Sequence, residues 1–157
     1  MTTTTKRSFL LEKVPSLLNT LHVDTKPTFG LMTPQHMVEH LTWIIKSSVK
    51  NFGEPPAEPT KGQLGFKRFI EKGAVFQHRP SDKTVDDLPP LKYASLEEAL
   101  AQIPIAVARF YNFFDGHPEK KLFNPMMGQL GFEEIELFHF QHCRYHLWQF
   151  GLLGQYP

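Results

Sequence analysis

Apolar residues recur at intervals of three and four in four separate stretches of this chain, which is the spacing of one helical face. The first stretch, from about Lys6 to Leu21, sets Leu10, Val14, Leu17 and Leu21 on one side, with Pro15 as a point where the helix can split. The second opens with Thr33 as N-cap and Pro34 in the first helical position, where no amide hydrogen is needed, and runs to about Val49. Its stripe is Met37, Leu41, Ile44, Ile45 and Ser48, and His40 lies within about 60° of Met37. Ser95 and Glu98 form a capping-box pattern that opens a third helix, which ends near Gly116 and is expected to kink at Pro104. A fourth begins near Phe132, carries Glu133 and Glu134 in its first turn, and stops at Gly151.

Between Gly53 and Pro90 the pattern changes, with six prolines and four glycines and only a short apolar-periodic piece around Leu64 to Ile70. That segment predicts a long irregular excursion holding one short helix. No stretch alternates convincingly as a strand. The fold class expected is therefore all-α, a four-helix bundle with a long crossover between the second and third helices. Residues 1–157 fit a single domain, since a chain of this length buries one core.

Composition adds three exclusions. Seventeen basic against sixteen acidic residues, with no Lys/Arg run, give no electrostatic basis for binding nucleic acid or an anionic membrane. No run approaches the roughly 18 apolar residues of a membrane span, and Phe9-Leu10-Leu11 is too short for a signal-peptide core. A lone Cys143 forms no intrachain disulfide, so a soluble cytoplasmic protein is expected. Fourteen phenylalanines are many for four helices to hide, and they point to a homodimer.

Eight histidines change the picture. On the fourth helix, counting about 100° per residue from Ile135, His139 falls near 40°, His142 near 340° and His146 near 20°. All three share one face, flanked by Phe138, Gln149 and Phe150, so they point into the core. His142 and His146 stand one turn apart, and their nitrogens can converge on one ion. A third ligand must come from another helix, and His40 is the histidine on the core stripe of the second. Three neutral imidazoles leave coordination positions open, as a catalytic metal requires. Zinc or nickel suits such nitrogen ligands best, with iron and manganese as the other candidates. The alternative is a set of core histidines satisfied by carbonyls, hydroxyls or one another.

His36-Met37-Val38-Glu39-His40 also reads as H-x-x-E-H, the inverted zinc-peptidase motif. Such a pattern arises easily by chance among eight histidines, and those peptidases are larger chains. Glu39 and His36 nonetheless have the spacing to stand near the metal, and they are the candidates for catalytic proton transfer.

Met32-Thr33-Pro34-Gln35-His36-Met37-Val38-Glu39-His40-Leu41, paired with His142-x-x-x-His146-x-x-Gln149, resembles the DinB/YfiT-like superfamily of metal-binding four-helix bundles. The closing stretch, from Gly116-His117-Pro118 through Leu130-Gly131-Phe132 to Gly151, is similar to one uncharacterised bacterial subfamily of it. The resemblance implies a divalent metal on His40, His142 and His146, and a long crossover between the second and third helices. It also implies a thiol-dependent transferase or isomerase drawing on a low-molecular-weight thiol. The proline-rich middle departs from the family pattern. The expected function is thus a metal-dependent enzyme of S-transferase type with a small-molecule substrate. A hydrolase activating water at the same metal is the first alternative. A noncatalytic binding module, its pocket lined by Phe110, Tyr111, Phe114 and Trp148, is the second.

Overall fold

The structure, a computed structural model, describes residues 3–157. Among the described residues the chain is mainly helical, with five helices and one small two-stranded sheet. We label them α1 (residues 3–18), α2 (Pro34–Ser47), α3 (Lys61–Glu71), α4 (Leu96–Gly116), β1 (Leu122–Asn124), β2 (Gly128–Leu130) and α5 (Phe132–Gln149). No helix among these residues is long and apolar enough to cross a membrane.

α1 is α-helical over Thr3–Ser8, π-helical over Phe9–Lys13 and α-helical again over Val14–Leu18. The Val14 amide donates to the Phe9 carbonyl, five residues back, which widens the turn just ahead of Pro15. Pro15 has no N–H to donate and falls in the first turn of the α-helical piece that follows, where none is required, so the helix continues instead of splitting. It ends at Leu18, and Leu21 packs on the core from the following turn.

α2 starts as its sequence predicts: the Thr33 hydroxyl accepts from the His36 amide at 3.2 Å, and Pro34 follows. α4 is continuous through Pro104. Its start is half of the expected capping box. Ser95 Oγ accepts from the Glu98 amide at 3.1 Å, but the Glu98 carboxylate turns to the Ala94 amide at 3.3 Å rather than to Ser95.

α1, α2, α4 and α5 pack on one another around one core. Leu10 and Val14 of α1, Met37 and Leu41 of α2, Ile103 and Phe110 of α4 and Leu147 of α5 lie almost fully inside it. Each such side chain stabilises the fold by about 1.5–3 kcal/mol through water-excluded area. Of the fourteen phenylalanines, only Phe52 stands among the exposed large hydrophobic residues of the described chain.

Some of the others are taken up by the excursion. α3 is capped reciprocally by Thr60 and Gln63, and it lays Phe66 and Phe69 beside Phe76 and Phe138, forming a second apolar cluster with Ile70 and Ala74. Gln63 also donates to the Pro125 carbonyl at 2.9 Å, which ties α3 to the turn of the β hairpin. The hairpin pairs Leu122 with Leu130 and Asn124 with Gly128, antiparallel. It is absent from the sequence expectation because strands of three residues are too short to show an alternating pattern. Asn124 makes the turn, its side-chain oxygen accepting from the amides of Met126 and Met127. Gly128 must be glycine, with φ at +87° and a Cβ that would meet Gln63 at 3.3 Å.

Candidate metal centre

α5 is buried on most of its circumference, and that is why polar side chains spaced along it end up inside. His142 and His146 are each 6% exposed, and His40 reaches them from α2 as the partly exposed third member. The Nε2 atoms of His40 and His142 stand 3.1 Å apart, as do those of His142 and His146. One ligand nitrogen from each residue lies within 4.8 Å of the other two. The group joins the three residues that the sequence singles out, and no other such cluster of histidine, cysteine or carboxylate ligands occurs among the described residues.

The hydrogen-bond chemistry of this trio fits a cation. Gln149 Nε2 donates to the Phe29 carbonyl at 2.9 Å, which leaves Gln149 Oε1 facing His146 Nδ1 at 2.7 Å. An amide oxygen only accepts, so His146 carries its proton on Nδ1 and turns a lone pair inward at Nε2. Both short nitrogen contacts then converge on His142 Nε2, which has at most one hydrogen to give. One proton cannot satisfy both contacts, whereas a divalent ion satisfies all three lone pairs. Nitrogens sharing a tetrahedral zinc at ~2.0–2.1 Å would stand about 3.3 Å apart, close to the two contacts on His142.

Burial keeps these rings neutral, as metal ligation requires. Phe76 and Phe138 lie at 4.9 and 5.2 Å from the His142 ring, and desolvation behind them pushes its pKa well below the ordinary histidine value. The same cause lowers His146 to about 4, and it lowers His40 as well.

His139 belongs elsewhere. The Ser48 hydroxyl donates to the Ile45 carbonyl at 2.7 Å, so its oxygen accepts from His139 Nε2 at 2.8 Å. That leaves His139 Nδ1 buried without a partner among the described residues, and burial pushes the ring down to about 3. Cys143 sits in the core as an inert thiol, pushed up to about 12 by burial.

His36 and Glu39 are outside the trio, and both hold the chain that crosses α2. The Pro89 carbonyl accepts from His36 Nε2 at 3.1 Å, so His36 Nδ1 accepts from the Thr33 hydroxyl at 2.7 Å. The Glu39 carboxylate accepts from the amides of Lys92 at 2.7 Å and Tyr93 at 3.2 Å, and from Gln35 Nε2 at 2.9 Å. Partial burial works against its charge, but the Lys92, Gln35 and Tyr93 hydrogen bonds outweigh it and hold the carboxyl below its usual range. The H-x-x-E-H spacing thus contributes one histidine to the trio, His40, and fastens the 89–93 segment with the other two residues.

A cavity of about 500 Å³ lies between α2 and residues 88–93 and includes His40 in its wall. Its aromatic lining is Trp43 and Tyr93. Phe110, Tyr111 and Phe114, expected in a pocket, are buried in the core, because they lie on the inward face of α4. Neither the role of Gln149 nor that of Phe29 is readable from periodicity. Gly30 gives the one local signal: φ is +86°, and a Cβ there would meet Gln149 Nε2 at 2.8 Å.

No family model, curated protein or solved structure matches this chain.

Proposed function

We propose that this chain is a metal-dependent enzyme of the DinB/YfiT-like type, holding one divalent ion on His40, His142 and His146 and acting on a small molecule with a low-molecular-weight thiol as cosubstrate. The observation that carries the reading is the convergence of the three Nε2 atoms, whose two short contacts on His142 one proton cannot satisfy. Two further features support the family: the ligands come from α2 and α5, and a connection of residues 48–95 separates α2 from α4.

A bound divalent ion lowers the pKa of a thiol or water and makes it nucleophilic near neutral pH. The chain itself supplies the orientation. Gln149 fixes the His146 tautomer, and Phe76 and Phe138 exclude water from His142. Cys143 is too deeply buried to serve as the thiol, which makes an external cosubstrate necessary.

Elemental analysis of protein purified without a metal-affinity tag should find about one divalent ion per chain. His142→Ala should abolish that binding, and His36→Ala should leave it. Full retention in His142→Ala overturns the site. In the cobalt-substituted protein a small cellular thiol should produce a sulfur-to-metal charge-transfer band that His146→Ala removes. Hydrolysis of simple esters or amides without any thiol-dependent band would replace the transferase reading with the water-activating one.

A further inference from the structure

The cavity beside His40 carries chemistry that the trio leaves unused. Its wall is mainly apolar, from Met32, Trp43, Leu88 and the prolines that follow, yet two lysines are among its lining residues. Lys46 Nζ donates to Gln102 Oε1 at 3.2 Å, a neutral acceptor that leaves two of its hydrogens uncommitted. Lys92 Nζ lies 5.5 Å from the centre of the Tyr93 ring. Neither is in an ion pair; the salt bridge among the described residues joins Arg7 to Asp115.

One carboxylate lines the cavity, Glu39, and its oxygens are taken by two amides and the Gln35 side chain. With the histidines counted neutral, two lysines against one glutamate leave one net positive charge in the wall. A cation beside desolvated apolar surface attracts an anion more strongly than it would in water. Such a site, apolar with a few placed polar groups, is the ordinary form of a small-ligand pocket.

We infer that this cavity binds an amphipathic carboxylate, its apolar body against Trp43 and Tyr93 and its anionic end at Lys46. Lys46 is six residues beyond His40 on α2, a rise of about 9 Å along the helix, which sets the length of the body between them. The opposite end of such a molecule then lies at His40. This deepens the proposed function by naming the substrate class, and it rests on that function only for what happens at His40; the binding itself needs no metal.

Calorimetry with 4-phenylbutyrate and its neutral counterpart 4-phenyl-1-butanol tests it, on protein as purified and after chelator treatment. The acid should bind at least tenfold more tightly than the alcohol in both forms. Lys46→Met should cut that preference to below threefold, and Trp43→Ala should weaken both ligands alike. Trp43 is 64% exposed, and Lys46→Met keeps an unbranched side chain while giving up only the bond to Gln102, so both variants should stay folded. Equal affinity for acid and alcohol overturns the inference, as does absence of binding. A preference that vanishes with the chelator but survives Lys46→Met also overturns it, since the carboxylate would then be held by the ion. If the protein takes up no metal and the preference is still present, the inference stands, and it is the failure to bind an ion that overturns the metal reading.

Discussion

Gln149 Oε1 accepts from His146 Nδ1 at 2.7 Å while its amide nitrogen donates to the Phe29 carbonyl, so a main-chain oxygen in an irregular segment decides which nitrogen of His146 faces its neighbours. The segment is itself held in return, the Thr28 amide donating to the Gln149 carbonyl at 2.8 Å. The tautomer of His146 therefore depends on a loop 120 residues away in sequence.

Removing this support should weaken metal binding without abolishing it. Gln149→Leu deprives His146 Nδ1 of its acceptor and should lower zinc affinity by about 10–100-fold, the usual effect of losing a ligand-orienting hydrogen bond. Gly30→Ala should act in the same direction through Gln149, because the added Cβ meets its amide nitrogen. Competition with a chromophoric chelator measures both.

The metal-free protein should lose stability in acid. His139 is held down to about 3 by burial and titrates near 6.5 when unfolded, so below pH 6.5 the unfolded chain binds the extra proton. Stability is full above that value and falls progressively as the pH drops toward 3. His139→Leu should flatten the slope by about 1.4 kcal/mol per pH unit, read from urea midpoints of chelator-treated protein between pH 7.5 and 4.5. An unchanged slope would show that His139 keeps an ordinary pKa.

Thr42 is 4% exposed and its hydroxyl has no hydrogen-bond partner among the described residues. Replacing it with valine of similar shape removes a desolvated polar atom and puts a methyl in its place. Thr42→Val should therefore raise unfolding stability by about 1 kcal/mol, seen as a higher denaturant midpoint at unchanged m-value.

Glu39→Ala separates a fastening role from a chemical one. Loss of the carboxylate frees the amides of Lys92 and Tyr93, so hydrogen exchange and protease cleavage should increase over residues 88–93. Metal content should stay at the wild-type level. A fall in metal content with exchange unchanged would return Glu39 to the neighbourhood of the ion.

Helix positions and the three candidate ligands were legible because both follow from periodicity. A face repeated every 3.6 residues maps directly onto sequence spacing, so His142 and His146 had to share a side of α5, and His40 had to lie near the inner stripe of α2. His139 obeys the same rule, so periodicity puts it on the face of the two ligand candidates without making it one of them. Only the approach of Ser48 from α2 shows that it bonds a hydroxyl instead.

What the tertiary structure alone decided are the partners made of main chain. Phe29 and Pro89 contribute carbonyls, and Lys92 and Tyr93 contribute amides, to Gln149, His36 and Glu39. Every residue carries a carbonyl and every residue but proline an N–H, so such a partner leaves no mark in the identity of the amino acid that supplies it. The cavity beside His40 is hidden for the same reason: it exists because Glu39 and His36 hold residues 89–93 across α2, and a sequence pattern specifies the two side chains but not the loop that comes to meet them.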